Sequence, residues 1–410
     1  MTVFAATRAR AEHDPAPSQP LRAPEAPLRV ALFSGNYNCV RDGANQALNR
    51  LVGYLTDTAG AQVRVYSPTI ANPAFTATGT LVSVPSIAIP GRPEYRLALG
   101  LPKAIRHDIR RFQPDIVHLS APDLLGRAAQ RFARTLAVPV VTSLHTRFET
   151  YFEHYRLGFL KPYAEAYLRR FYAASDRILV PNQAIAAEFR AQGLDHVSPW
   201  GRGVDRAVFH PSNRDPEWRR RRGYADDDIV VLFFGRLVRE KGLDIFAEIV
   251  EAARARGHRL RPMIVGDGPA RDLFAHWLPD ADFLGHLSGA ALGRAVASAD
   301  ILINPSITEA FGNVTLEAMA AGLAIVAADV PSACSLIDPG ENGLLVPPID
   351  VDGYVAAVER LILSPECRRA LGGAASEAAN RFSWDDVSRD VLSAYRASLR
   401  APPRSGEHVA

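Results

Sequence analysis

The chain has 410 residues, of which 48% are hydrophobic and 22% are charged. This is the composition of a globular protein, and the length exceeds the roughly 250 to 300 residues at which one core stops growing, so we expect two domains. The 47 basic and 44 acidic residues leave a formal net charge of only +3, which argues against a nucleic-acid-binding protein. Three cysteines without metal-ligand spacing favour a reducing, cytoplasmic environment.

The beginning of the chain is rich in Ala, Pro and Arg, and we interpret residues 1–27 as a disordered leader. Arg8 and Arg10 interrupt the apolar stretch after Met1 before the core of a signal peptide can form. No apolar run approaches the ~18 to 20 residues of a membrane-spanning helix. We therefore expect a cytoplasmic protein, with peripheral attachment to the inner face of the membrane as a further expectation.

Two segments have the same form, an apolar run that ends in glycine, at residues 28–35 and 228–235. Each predicts the first strand of a parallel sheet. Further buried strands, spaced widely enough for connecting helices, are predicted at residues 116–119, 139–144, 177–180, 262–266, 301–304 and 324–328. Strands that alternate with helices predict an α/β protein with two Rossmann-like, doubly wound domains that face a central cleft.

The same pattern sets the expected domain bounds. The N-terminal domain is assigned to residues 28–205 and the C-terminal domain to residues 206–382. Ser383 is a suitable N-cap for a final helix, so we assign residues 383–400 to a helix that returns to the N-terminal domain. Residues 401–410 are interpreted as a tail.

A loop with two cations, Arg236 and Lys241, follows the strand predicted at residues 228–235. A nucleoside diphosphate carries about two negative charges when it is esterified at both ends and gains more on departure, so two cations there would stabilise the leaving group. No metal would then be required. The alternative interpretation is a solvated basic loop.

Two carboxylates accompany the helix predicted within residues 308–322, which Gly322 can end. Glu309 lies before the helix and Glu317 within it. A carboxylate accepts hydrogen bonds from sugar hydroxyls, N–H groups at a helix start favour phosphate oxygens, and a second carboxylate about two turns later could reach a ribose diol. Taken alone, Glu317 would more often be a solvated helix residue.

The pair Arg236 and Lys241, followed by two glutamates eight positions apart, resembles the large family 4 group of retaining glycosyltransferases, which have the GT-B fold. The resemblance covers residues 28–399 and includes 204–211 and 265–269. By this resemblance, Arg236 and Lys241 hold the donor pyrophosphate. The residues that would hold the donor sugar are Glu309, Phe311, Gly312 and Asn313, and Glu309 is also expected to be a catalytic residue. The residues that would contact the ribose or the base are Glu317, Gly266 and His286.

The resemblance also implies two functional residues in the N-terminal domain. Gly43 would let a loop approach the phosphates, although Asp42 stands where similar enzymes have another glycine, and an ordinary turn is the alternative. His145 follows a predicted strand and matches the family's N-domain active-site histidine, with a weaker claim for His118. Its expected catalytic role is to hold a donor-sugar hydroxyl, or to place its backbone carbonyl near the anomeric carbon, rather than to act as a nucleophile. A lone histidine after a strand is more often structural.

The segments at residues 155–160 and 200–205 resemble a subgroup of mannosyltransferases that use GDP-mannose and sulfolipid-type transferases that use UDP-sugars. We expect transfer of a hexose, foremost mannose from GDP-mannose, to a lipid or glycan acceptor, without a cofactor and without a covalent glycosyl-enzyme. A UDP-sugar-dependent glycolipid transferase and a non-catalytic nucleotide-sugar-binding protein are the alternatives. A nicotinamide dehydrogenase needs G-x-G-x-x-G, which the segment from Gly266 to Arg271 lacks.

Residues 101–112 predict an amphipathic helix with a basic face, in a region that has eight basic and three acidic residues between positions 96 and 134. The apolar positions are Leu101, Ala104, Ile105, Ile109 and Phe112. We expect the apolar face to pack on the protein's own sheet, and an anionic membrane surface would attract the basic face. A second basic run, at residues 219–222, is interpreted as a solvated helix.

Overall fold

The computed structural model describes residues 26–40, 42–89, 92–145 and 161–401. Within these residues the chain forms two parallel sheets with helices packed on them, which confirms the α/β fold predicted from the strand pattern. Residues 1–25, the segment at 155–160 and the tail from residue 402 lie outside the described residues.

The first sheet has seven parallel strands in the order β3-β2-β1-β6-β7-β8-β9. These strands are β1 (Arg29–Phe33), β2 (Gln62–Ser67), β3 (Thr80–Ser83), β6 (Ile116–Leu119), β7 (Val140–Ser143), β8 (Arg177–Val180) and β9 (Val197–Pro199). An antiparallel hairpin lies between β3 and β6 in the sequence and consists of β4 (Ser86–Ile89) and β5 (Arg92–Ala98). The helices of this half are α1 (Gly43–Gly53), α2 (Lys103–Phe112), α3 (Leu124–Thr135), α4 (Lys161–Ala173) and α5 (Gln183–Ala191).

The second sheet has six parallel strands in the order β12-β11-β10-β13-β14-β15. These strands are β10 (Ile229–Phe234), β11 (Leu260–Val265), β12 (Asp282–Gly285), β13 (Ile301–Asn304), β14 (Ala324–Ala328) and β15 (Leu344–Val346). The helices that follow α5 are α6 (Pro216–Arg221), α7 (Leu243–Ala255), α8 (Arg271–Trp277), α9 (Gly289–Ala297), α10 (Asn313–Ala320), α11 (Pro331–Cys334), α12 (Val351–Leu363), α13 (Pro365–Ala378) and α14 (Trp384–Arg400).

The order of both sheets reverses at the first strand of each, β1 and β10, which lies between the second strand and a strand that comes later in the chain. In such sheets, ligands bind in the crevice outside the carboxyl ends of the strands, beside that reversal. The loops after β1 and β10 therefore lead into the cleft. These are the loops that carry Gly43, Arg236 and Lys241.

The last helix packs on the first sheet. Ser383 caps α14 by accepting hydrogen bonds from the N–H groups of Asp385 and Asp386, at 3.2 and 3.4 Å. Its side chains Val391 and Tyr395 are fully buried in the same core as Val30 and Leu32 of β1. The chain thus passes between the two sheets twice, and the crossings lie side by side, since the N–H of Val204 donates to the carbonyl of Phe382 at 2.9 Å.

Helix α2 packs its apolar face on the first sheet, as the sequence predicts. Ile105, Ile109 and Phe112 are buried in one cluster with Val117 and Leu119 of β6. Ala104, which the helical periodicity places on the same face, is exposed. Among the described residues, no helix is both long enough and apolar enough to span a bilayer.

In the basic run at residues 219–222, Arg220, Arg221 and Arg222 are exposed as the sequence predicts, but Arg219 is not. The Arg219 side chain is buried, pairs with Asp300 at 3.2 Å and donates to the carbonyl of Asp228 at 2.9 Å. Arg222 forms two hydrogen bonds with Asp282, at 2.6 and 2.5 Å. These arginines tie α6 to the second sheet, because a guanidinium can satisfy several buried acceptors at once.

Candidate active site

The structure brings Lys241 and Glu309 into direct contact. The Nζ of Lys241 donates to Oε1 of Glu309 at 3.0 Å, and the two side chains are only 20% and 13% exposed. The loops are also joined by Thr308, whose hydroxyl donates to the carbonyl of Glu240 at 3.2 Å. Lys241 is therefore not a solvated loop residue, whereas Arg236, five positions earlier, is exposed at the end of β10.

Glu317 belongs to α10, lies near Glu309 and is partly buried. Burial raises the pKa of Glu317 to about 8, the negative charge of Glu309 acts in the same direction, and Arg50 of α1 acts against both. The sequence alone favours a solvated helix residue at this position, and the structure shows instead a shielded carboxyl. The raised pKa favours the protonated form of Glu317 at neutral pH.

The N-terminus of α10 faces the first half of the chain. Gly312 is the N-cap residue, with a φ of 97°, and Asn313 is the first residue of the helix. Gly43, at the start of α1, lies so close that a Cβ there would overlap the amide nitrogen of the Asn313 side chain. The two predicted residues Gly43 and Asn313 therefore meet across the cleft, although they are far apart in the sequence.

Phe311 differs from the neighbouring loop residues, because its ring is turned into the protein. The ring is 6% exposed and lies 6.3 Å from the ring of Phe382, measured between centroids. A Cβ at Gly201 would lie 3.5 Å from its edge. The side chain of Phe311 thus packs where the chain crosses between the sheets, which leaves its backbone as the part nearest the cleft.

Gly266 follows β11 where the loops after three neighbouring strands converge. Its φ is 139°, its N–H donates to the carbonyl of Gly285 at 2.9 Å, and a Cβ would overlap the carbonyl oxygen of Gly235. Only glycine fits this close backbone approach. His286 follows Gly285 and is exposed. Both residues lie at the carboxyl end of the second sheet.

Asp42 caps α1 and lies between cations of both halves. Its Oδ1 accepts from the N–H of Asn45 at 2.8 Å. Burial raises the pKa of Asp42, and the positive charges of Arg236 and Arg202 act in the opposite direction. The exposed Arg236 of the second half therefore interacts electrostatically with the cap of α1.

His145 is held by the protein through both ring nitrogens. Its Nδ1 accepts from Nη2 of Arg202 at 2.8 Å, and its Nε2 contacts the hydroxyl of Ser143 at 2.8 Å. Burial, followed by the charge of Arg202 and the nearby ring of His118, lowers the pKa of His145 well below its usual range. The imidazole is neutral, and neither nitrogen is free to bind a sugar hydroxyl in this arrangement.

Several residues around this site had no role predicted from the sequence. Asn182 of the loop after β8 donates to the carbonyl of Ala310 at 3.3 Å and so links the two halves. Arg202, Ser143 and Tyr395 surround the two histidines. The sequence offers one signal for Arg202. This arginine stands between two glycines at the point where the chain leaves the first sheet, which is an unusual position for a buried charge.

Comparison with protein families gives two matches that together cover most of the described chain. Residues 41–208 match the Glycosyltransferase Family 4 model, and residues 228–364 match the model of Glycosyl transferases group 1. The first range contains Gly43 and His145. The second contains Arg236, Lys241, Glu309 and Glu317.

Curated relatives and solved structures agree with these matches. The chain is 35% identical to a GDP-mannose-dependent alpha-mannosyltransferase of Mycolicibacterium smegmatis over 91% of this chain and 98% of that protein. It is 30% identical to the sulfoquinovosyl transferase SQD2 of Arabidopsis thaliana over 92% of this chain and 76% of that protein. Sucrose-phosphate synthase from Thermosynechococcus elongatus has the same fold, with a TM-score of 0.75, 19% identity, and coverage of 90% of this chain and 98% of that one.

Proposed function

Since the chain belongs to the glycosyltransferases of group 1 and family 4, which have the GT-B fold, we propose that it transfers mannose from GDP-mannose to a lipid or glycan acceptor with retention of anomeric configuration. The observation that carries the proposed site is the contact between Lys241 and Glu309, which places a cation and a carboxylate together, both largely shielded from solvent. The donor assignment is supported by the 35% identity to the mannosyltransferase of Mycolicibacterium smegmatis over nearly the whole chain.

The chemistry of the proposed reaction follows from the charges in the cleft. Lys241 and Arg236 would bind the diphosphate and offset the negative charge that grows as the glycosidic bond to the phosphate breaks. Glu309 would accept hydrogen bonds from the sugar hydroxyls and so orient the ring. The departing phosphate oxygen would accept the acceptor's proton on the same face of the sugar, which retains the configuration without a covalent glycosyl-enzyme.

We also propose that the two cations replace a divalent metal in this role. The support is their number and position, since Lys241 is shielded and Arg236 lies beside the start of α1. A shielded ammonium near a phosphate is weakly screened by solvent, so its charge acts strongly on the leaving group. Turnover should then be the same with and without EDTA.

A donor screen tests the proposed activity. The full chain is incubated with GDP-mannose, UDP-glucose or UDP-sulfoquinovose together with a lipid extract, with and without EDTA, and nucleotide release and new glycolipid are followed by mass spectrometry. We expect GDP release and an added hexose with GDP-mannose. Release of UDP alone would support the second candidate, a UDP-sugar-dependent glycolipid transferase, which the similarity to the Arabidopsis protein favours. No turnover with any donor would contradict both.

Nucleotide affinity should depend on pH through Glu317. An ionised carboxylate accepts hydrogen bonds from both hydroxyls of a ribose, whereas a protonated one must first lose its proton. Because the pKa of Glu317 is raised to about 8, GDP affinity should increase as the pH rises toward that value and then level off. Each pH unit below the pKa lowers the affinity by up to about tenfold.

Calorimetric titration of GDP between about pH 6 and pH 9 measures this dependence of affinity on pH. The release of one proton on binding sets the steepest slope that it can have. In Glu317→Gln the affinity should be weaker and nearly independent of pH in this range. Wild-type affinity that does not change with pH would show that the ribose does not bind the ionised Glu317.

We propose an anionic membrane surface as a further partner of the first half. Arg106 and Arg110 of α2 lie over the ring of Phe132 at 6.0 and 5.0 Å, beside the arginines of α3. Burial is the largest cause of the lowered pKa of Arg127, and the charges of Arg131 and Arg134 act in the same direction, so these cations lie close to one another. Large apolar side chains are exposed nearby in the sequence, among them Leu99 at 56% and Leu124 at 58%. Exposed basic and apolar groups together suit the headgroup region of a bilayer.

Removing two of these cations should weaken membrane binding measurably. Each cation near an anionic surface contributes ~1 kcal/mol, so Arg106→Gln with Arg110→Gln should lower the partition coefficient by about 30-fold. Sedimentation with vesicles of phosphatidylcholine, with and without phosphatidylglycerol, measures this. The matched control is Arg220→Gln with Arg221→Gln, which removes two exposed arginines from α6. Wild-type binding that does not depend on the anionic lipid would refute the proposal.

A further inference from the structure

A chain of hydrogen bonds runs from Arg202 through His145 to the last helix. Nη2 of Arg202 lies 2.8 Å from Nδ1 of His145, and Nε2 of His145 lies 2.8 Å from Oγ of Ser143. The same Oγ lies 2.8 Å from Nε2 of His118, whose Nδ1 lies 2.5 Å from the hydroxyl of Tyr395. The members of this chain come from four separate segments, β6, β7, the crossing after β9 and α14.

The direction of these bonds is fixed at the Arg202 end. A guanidinium can only donate, so Nδ1 of His145 must be the acceptor and carries no proton. A neutral imidazole then has its proton on Nε2 and donates it to Ser143. The Ser143 hydroxyl in turn donates to Nε2 of His118 at 2.8 Å, because its other acceptor, the carbonyl of Leu119, is 3.5 Å away. Arg202 thereby selects one tautomer of His145.

The position of Arg202 suits this role better than a role in stability alone. The residue is 3% exposed, and its Nη1 donates to the carbonyls of Trp200 and Gly201 at 3.2 and 2.9 Å. Its Nε is buried without a hydrogen-bond partner. A buried charge with an unsatisfied donor is destabilising, so such a group persists where its geometry serves a function.

In the part of the chain that the structure describes, several elements contribute groups that lie around His145. Arg202 approaches from the crossing after β9, Ser143 and His118 from the sheet, and the Trp200 ring stacks edge-on at 5.1 Å between centroids. Asp42 acts on Arg202 from the cap of α1. Tyr395 bonds to His118 rather than to His145. Among the described residues, Arg202 is therefore the charged group that hydrogen-bonds to the His145 ring.

We propose that Arg202 is a positioning residue for glycosyl transfer, which holds His145 as the neutral Nε2–H tautomer so that no positive charge forms on this ring beside the donor sugar. This inference rests on the proposed function, with His145 next to the sugar. Positive charge develops on the anomeric carbon and ring oxygen as the bond to the phosphate breaks. An imidazolium at that place would oppose the developing charge, and a neutral ring does not.

The pH dependence of kcat at saturating donor distinguishes this role from a structural one. Burial is the largest cause of the lowered pKa of His145, and the charge of Arg202 adds to it, so the pKa should rise without the guanidinium while burial still lowers it. In Arg202→Gln we expect kcat to fall more steeply between about pH 8 and about pH 5 than in the wild type, whose kcat should change less than about twofold from this cause. Arg202→Lys, which keeps a cation, should restore most of the wild-type profile.

The control is Arg219→Gln, which removes another buried arginine but lies near Asp300, away from the histidines. It should lower thermal stability without adding an acid limb to kcat. If Arg202→Gln is folded and its profile parallels that of the wild type, at equal or lower kcat throughout, the proposal is wrong. If the wild type itself turns over no donor, the proposed function fails instead.

A measurement on the wild-type protein covers the case in which Arg202→Gln does not fold. Nitrogen-15 NMR of labelled histidines, with His145→Gln to assign the signal, reports the protonation of each ring nitrogen. We expect a neutral ring with its proton on Nε2 down to about pH 5.5, a full unit below the ordinary histidine pKa. A signal from a proton on Nδ1, or from a doubly protonated ring at that pH, would overturn the inference.

Discussion

Replacing Lys241 with alanine is expected to lower kcat/KM for the nucleotide sugar by about 10²- to 10³-fold, the range seen when one preorganised group that stabilises transition-state charge is removed. The ammonium of Lys241 is 20% exposed, so water screens its charge poorly, and its position is fixed by the contact with Glu309. Its loss also leaves Glu309 without its cation, close to Glu317. Both effects should appear in steady-state assays of nucleotide release.

Arg239→Ala provides the matched control for this substitution. Arg239 belongs to the same short 3-10 turn, Arg239–Lys241, but is exposed. We expect it to retain nearly wild-type kcat/KM, which would show that position rather than net charge matters. The double variant Lys241→Ala with Glu309→Gln should lose less transition-state stabilisation than the sum of the losses in the two single variants, because the two side chains contact each other. A folded Lys241→Ala enzyme with normal turnover would refute the proposed site.

Gly43→Ala is expected to lower kcat/KM by about 10²-fold, since a shift of ~1 Å between reacting groups can have an effect of this size. The added methyl group would overlap the Asn313 amide, so either Asn313 moves away from the donor or α1 and α10 separate. The fold should not suffer, because alanine favours a helix more than glycine does. Steady-state kinetics and thermal denaturation of the same preparation separate the two effects.

Gly53→Ala tests whether the loss depends on the place of the methyl group. Gly53 is the last residue of the same helix, and a Cβ there would have only an ordinary contact, 3.5 Å from Cγ2 of Thr78. Its activity should equal that of the wild type. In an Asn313→Ala background, Gly43→Ala should have a smaller effect than in the wild type. Equal effects in both backgrounds would show that the overlap with Asn313 is not the cause.

The central strands of both sheets could be predicted from the sequence, and the edge strands could not. Strands such as β6, β7 and β14 are buried at every position and appear in the sequence as continuous apolar runs. Strands β3 and β12 lie at sheet edges and have partly exposed residues, so their sequences lack that signal. Strand β2 pairs with β1 but carries Gln62 and Arg64, which interrupt the apolar pattern.

Prediction of the site had a similar limit. Lys241 and Glu309 could be proposed to share one pocket because each follows a strand of the same sheet, and parallel strands end at one edge. The partners of His145 could not be found in this way. Arg202 is 57 positions from His145, and Tyr395 is 277 positions from His118, so only the folded chain brings them together. The burial of Arg219 was missed because a run of arginines resembles a solvated helix until its acceptors are known.

The return of α14 to the first sheet has a consequence for synthesis of the chain on the ribosome. Residues Val391 and Tyr395 fill the core beside β1, and the Tyr395 hydroxyl bonds to a histidine 277 positions earlier. The N-terminal half therefore emerges with part of its core unfilled. That core cannot be completed until the second sheet has been translated. Domains usually fold in order of synthesis, but here α14, which is made after the second sheet, completes the first domain.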